Sequence, residues 1–171
     1  MKTFKHSLAL AIAMTFCSSA AWAQQYHLEL VLAGGMVTEA DFRPCPAGQG
    51  VPGQPAGDCG AKVGKITKSK GTLYGLTTRA ASATGHDSVT IENGKLRIKA
   101  LDGRTPPVVL LGMGDGVVRG VVISADSRYA FVVVENASGN PSDVVMIDLL
   151  TQNGVAGVSL DSPVLGIAMA R

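Results

Sequence analysis

Three histidines in 171 residues leave little room for chemistry built on imidazole. His27 and His86 are isolated from each other and from any cysteine, so a zinc site has no ligand set to draw on. His86-Asp87-Ser88 lie side by side, yet triad members meet through the fold, and no nucleophile motif surrounds them. A haem-attachment Cys-x-x-Cys-His is absent. So is any dense run of oxygen ligands: Asp126, Asp143, Asp148 and Asp161 read as turn and strand-end residues rather than a calcium loop. After the first two dozen residues helix signals are nearly lacking too.

What is present begins with a leader. Lys2 and Lys5 precede an apolar stretch from Leu8 to Phe16, and Ala21-Trp22-Ala23 supplies small residues where a signal peptidase reads. The stretch is too short to span a bilayer. Met14-Thr15-Phe16 lacks the small residues that a lipoprotein signal wants before Cys17. The expectation is a signal peptide over 1–23, a mature chain from about Gln24, and a periplasmic or secreted protein.

Loss of Lys2 and Lys5 turns 15 basic against 13 acidic groups into thirteen of each. No net positive field then remains for nucleic acid or an anionic membrane, and neither is expected as a partner. Lys62, Lys65, Lys68 and Lys70 read as a solvated face in preference to a docking site for an acidic partner.

Cys17 leaves with the leader, so Cys45 and Cys59 remain as a pair and, in an oxidising compartment, as a disulfide. The Pro- and Gly-rich segment between them has almost nothing to bury. A crosslink there is worth roughly 3 kcal/mol in the chain-entropy account.

Strand signals are frequent: "YHLELVLAGG", "TLYGLTT", "SVTIENGKLRIKAL", "PVVLLG", "GVVRGVVIS", "YAFVVVE", "DVVMIDL" and "VAGVSL" each stop at a turn residue. Asn93-Gly94 between alternating runs predicts a tight hairpin. The glycines of "VVLLGMGDG" invite a phosphate-loop reading, but a β-prone run follows where a helix would have to open. Asn136-Ala137-Ser138 matches a glycosylation pattern that is common by chance. The class is all-β.

The same order of features occurs twice. An aromatic strand leads to Ala81-Ser82 or Ala137-Ser138, then Asp87-Ser88-Val89 or Asp143-Val144-Val145. A turn at Asn93-Gly94 or Asn153-Gly154 follows, and a strand ends at Leu101-Asp102 or Leu160-Asp161. The offset of about 56 to 60 residues suits repeated four-stranded antiparallel units. Phe131-Val132-Val133-Val134 shows no polar alternation and reads as a strand covered on both faces. The expected organisation is 24–70, an N-terminal strand plus the disulfide loop, and 71–171, two repeats of about 71–111 and 117–171.

The second unit, "RGVVISADSRYAFVVVEN…SDVVMIDL", resembles one blade of the YVTN-type β-propeller repeat proteins. Gly120, Val121, Ile123, Ser124, Asp126, Arg128, Tyr129, Ala130, Val132, Val145, Ile147 and Asp148 occupy matching places. Ala125 stands where the family has proline, Ser127 where it has the turn glycine, and Val133-Val134 where it has Thr-Asn. The resemblance implies an incomplete propeller of about two blades, since rings close with about four to eight. That in turn implies a truncated product, or self-association to cover open edges. The function it implies is a non-enzymatic binding or scaffold module without a cofactor, whose partner is a protein or small ligand. Relatives of the lactonase type, and propeller subunits of quinone- or haem-dependent dehydrogenases, make a fragment of a periplasmic enzyme the alternative. No catalytic or metal residue is expected, and the motif residues Gly120, Ser124, Asp126, Arg128, Tyr129, Val145, Ile147 and Asp148 are expected to be structural.

Overall fold

The computed structural model describes residues 24–45, 59–71, 74–83, 85, 87–100, 108–111, 114–136 and 142–170. The expected leader over 1–23, most of the segment between Cys45 and Cys59, His86, Leu101-Asp102 and Ala137-Ser138 lie outside them. The chain is all-β, with thirteen strands in three antiparallel sheets among the described residues.

The lateral sheet has the order β5 (Arg79–Ala81), β6 (Asp87–Glu92), β7 (Lys95–Ala100), β8 (Val108–Leu111). The central sheet is the meander β9 (Val117–Ile123), β10 (Tyr129–Glu135), β11 (Ser142–Asp148), β12 (Asn153–Leu160). The terminal sheet joins both ends of the described chain. Its order is β13 (Val164–Met169), β1 (Tyr26–Leu32), β2 (Met36–Arg43), β3 (Gly60–Val63), and β4 (Thr67–Lys68) also pairs with β2. The last strand thus completes the sheet that the first strands begin, with Leu28 opposite Met169 and Leu30 opposite Ile167.

Pleating explains the layering. On β10, Tyr129, Phe131 and Val133 face the terminal sheet and meet Tyr26, Leu28, Leu30, Ala40 and Phe42. Ala130, Val132 and Val134 face the lateral sheet and meet Val89, Leu96 and Ile98. Strands covered on both faces have no polar alternation to keep. The two flanking sheets do alternate. His27, Glu29, Glu39, Asp41, Arg43 and Lys62 turn outward from one. Arg97, Lys99 and Glu92 turn outward from the other, where Arg97 and Glu92 pair at 2.9 Å.

Turn chemistry sets the registers. Asn93 (φ 52°) and Gly94 (φ 71°) form the two-residue turn between Glu92 and Lys95, as the sequence predicts. The second repeat departs from the expectation at Asn153-Gly154, which already belong to β12. The left-handed residue there is Gln152 (φ 60°), because Asp148 caps the longer turn through Oδ1, accepting from the N–H of Leu150 (2.8 Å) and Thr151 (3.1 Å). A second departure is "TLYGLTT": Tyr74 to Thr77 form no strand, and the lateral sheet starts later, at Arg79. Cys45 and Cys59 stand at disulfide distance, Cα to Cα 5.1 Å, beside the last β2–β3 pair. The buried Cys45 also donates its N–H to the carbonyl of Val155 on β12 at 2.8 Å, tying the terminal sheet to the central one.

Candidate binding cleft

Each sheet has an inner edge strand: β13, β9 and β5. The segment Tyr74–Thr78 runs between them, and two glycines make room for it. A Cβ on Gly166 would lie 2.0 Å from the Tyr74 carbonyl oxygen, and one on Gly120 would lie 2.7 Å from Leu76 Cδ2. Leu76 therefore occupies the space a side chain at position 120 would take, and joins the core between the terminal and central sheets. The segment is held to β9 by Val121 N–H donating to Thr77 O (2.9 Å) and Thr77 Oγ1 donating to Val121 O (2.7 Å).

Beside this segment lies an open cleft of about 550 Å³. Tyr74, Thr77, Ala81, Ile123, Ile167 and Met169 are among its lining residues, and none of the lining side chains among the described residues carries a charge. Tyr74 lines the cleft and is 47% exposed. A smaller hollow on the outer face of the terminal sheet, of about 140 Å³, is lined by Gln25, Asp41, Arg43, Cys59, Gly60 and Lys62. There His27 and Asp41 pair at 2.6 Å, and Arg43 reaches Gln25 Oε1 through Nε and Nη2. Among the described residues no three His, Cys, Asp or Glu side chains converge to hold a metal.

The turn residues of the motif, Ser124, Asp126, Arg128, Tyr129 and Asp148, sit elsewhere, at one end of the central sheet, whereas Ile123 lines the cleft. Ser124 is the hub of the β9–β10 turn: its Oγ accepts from Tyr129 N–H (3.0 Å) and donates to Asp126 Oδ1 (2.5 Å). Asp126 also accepts from Tyr26 Oη (2.6 Å) and Arg128 N–H (3.2 Å). Arg128 lies over the Tyr129 ring at 5.3 Å and donates to Asp148 Oδ2 at 3.2 Å. Gly120 receives Leu76, while Val145 and Ile147 pack against the lateral side of the central sheet. Ser127 takes φ 62° in place of the expected glycine, and donates its N–H to Ser124 O at 2.9 Å. The surrounding hydrogen bonds offset the strain of a left-handed serine. Ser124, Asp126, Arg128 and Asp148 lock turns, and Asp126 links β1 to the central sheet through Tyr26.

Burial alone would raise the Asp126 carboxyl, but hydrogen bonds from Ser124, Tyr26, the Arg128 N–H and Gln24 outweigh it and hold the group below its usual range. Burial first, then the bond to Asp126, pushes the Tyr26 phenol well above its ordinary value, so it stays a donor. The depressed carboxyl contributes stability that is present above the unfolded value of about 4 and lost as pH falls through the lower folded value. Asp126→Asn should therefore flatten the acid limb of a stability-against-pH curve measured by urea unfolding. Tyr26→Phe should cost about 1 kcal/mol near neutrality. An unchanged acid limb in Asp126→Asn would remove Asp126 from this role.

The sequence reading did not find the cleft. Its one local signal is an isolated glycine inside each of two apolar strands, at positions 120 and 166, which marks close approach of another backbone or side chain.

No protein-family model matches the chain, and no curated protein matches it. Among solved structures, the crystal structure of a protein of unknown function from Bacteroides caccae is similar over 80% of this chain, at 13% identity and a TM-score of 0.36. The chain spans 41% of that protein's length. A likeness so distant carries no argument, and the fold rests on the strand pairings themselves.

Proposed function

We propose that this is an exported, non-enzymatic binding module of the β-propeller type, and that the cleft between its inner edge strands is the ligand site. The observation that carries the proposal is the cleft's composition. Its lining offers apolar side chains, two hydroxyl-bearing residues and backbone groups, with Tyr74 the one titratable member among the described lining residues. Such a lining recognises shape and apolar surface and has no pair of groups to exchange protons. The propeller reading draws support from the four-stranded antiparallel meanders, from the terminal sheet shared by first and last strands, and from the motif residues Ser124, Asp126, Arg128 and Asp148 gathered at one set of turns. The export reading draws support from the leader and from the Cys45–Cys59 pair.

The test is an NMR titration with indole, an uncharged bicyclic aromatic. Saturable shifts confined to Ile123, Ile167 and Met169 are expected. Ala81→Lys, which places a charge on an exposed lining position, should weaken binding about tenfold, because a lysine resists burial against an apolar ligand. Shifts scattered over the molecule, or none at saturating indole, would overturn the proposal.

A further inference from the structure

The cleft is bordered by open strand edges. In an antiparallel ladder, alternate residues exchange hydrogen bonds with the neighbour and the residues between them point their N–H and C=O away. On β13, Ala170 N–H donates to His27 O at 2.9 Å, and Ala168 stands opposite Glu29, so these positions face β1. Ile167 and Met169 therefore turn both backbone groups outward, toward the cleft they line. They hydrogen-bond to nothing among the described residues. The same count on β9 sends Val121 and Ile123 outward. Val121 is taken by Thr77, while Ile123 has no backbone partner among the described residues. On β5, Ala81 faces out in the same way.

We infer that the ligand of this cleft is an extended, uncharged peptide segment of another polypeptide, which adds to β13 as a further strand. The inference rests on the binding-module reading and names its ligand class. Three observations single out this occupant. Two successive outward residues on β13 present donors and acceptors at the two-residue spacing of a strand, which another extended backbone matches and a compact small molecule does not. Among the described residues the lining side chains carry no charge, so apolar or hydroxyl side chains suit the added strand and charged ones do not. The chain already covers part of a neighbouring edge, since Thr77 accepts from Val121 N–H through its carbonyl and donates to Val121 O through its hydroxyl. β13 is chosen over β9 because Thr77 leaves β9 with a single outward residue at the cleft. Tyr74, half-exposed beside Gly166, supplies a flat apolar surface against which one side chain of the added strand packs.

The experiment uses the full chain and a blocked heptapeptide of alternating valine and threonine, with amide hydrogen exchange read by NMR. Binding should protect the Ile167 and Met169 amides from exchange. N-methylation of three consecutive central residues, which removes donors from both edges of the peptide, should weaken binding about tenfold or more. Met169→Pro deletes one outward N–H without removing a hydrogen bond of the ladder to β1, and should weaken the peptide about tenfold. If that variant fails to fold, the N-methylated peptide still decides. Indole binding with no peptide binding, or equal affinity for the N-methylated peptide, would overturn strand addition and leave the binding module standing. Failure of both ligands would overturn both readings. Protection of the same amides in the protein alone, rising with its concentration, would assign the edge to a second copy and also overturn the proposal.

Discussion

Gly166→Ala should destabilise the protein by more than about 3 kcal/mol, or else expel the Tyr74–Thr78 segment from its seat. The added Cβ would stand 2.0 Å from the Tyr74 carbonyl oxygen, 2.7 Å from the carbonyl carbon and 3.2 Å from Val31 Cβ. Two of those atoms are backbone and have no rotamer to retreat into. The whole segment must move, and with it the Thr77–Val121 hydrogen bonds and the Leu76 plug. Gly120→Ala supplies the contrast. Its Cβ would meet Leu76 Cδ2 at 2.7 Å, which can turn aside, and Leu76 Cβ and Cγ at 3.2 and 3.3 Å, which need a shift of only a few tenths of an ångström. That change should cost about 1 kcal/mol. Urea unfolding of both variants measures the difference, and the same pair reports on the cleft, because an expelled segment takes Tyr74 away from any ligand. A Gly166→Ala midpoint equal to wild type would show that Tyr74 does not lie against β13.

The parts of this fold that a sequence reveals are those decided within a few residues. Asn93-Gly94 specifies its hairpin because both residues accept positive φ at small cost. The unbroken apolar run of β10 announces a strand with two covered faces, and Phe131 and Val132 do point to opposite cores. Asn153-Gly154 misleads for an equally local reason. Asp148 reaches forward to cap the chain and shifts the left-handed position to Gln152, a residue without turn preference of its own. The pairing of β1 with β13 has no local signature at all, since its partners lie at opposite ends of the described chain. The cleft is hidden for a further reason: the backbone amides and carbonyls of Ile123, Ile167 and Met169 that border it have no partner among the described residues. Every residue but proline carries those groups, so only pairing topology can show which ones are left over.

That topology makes Phe131→Ala the most telling core substitution, with an expected cost of about 3–5 kcal/mol. Phe131 is fully buried, and its ring meets Phe42 edge-on at 5.3 Å and Tyr26 at 5.7 Å, one from each of the first two strands. The terminal sheet turns charged side chains outward on its other face, and among the described residues its apolar face is covered by the central sheet and Leu76. A sheet of that kind has no independent core and cannot outlast the interface. Protection of β1 amides should therefore fall by the same free energy as that of β10 and β11, in one cooperative transition. If β1 amides instead kept their protection while β10 lost it, residues 24–70 would be a unit folding by itself. The β1–β13 pairing would then be an attachment made after folding, and the open edge of β13 would belong to a strand that comes and goes rather than to a fixed site.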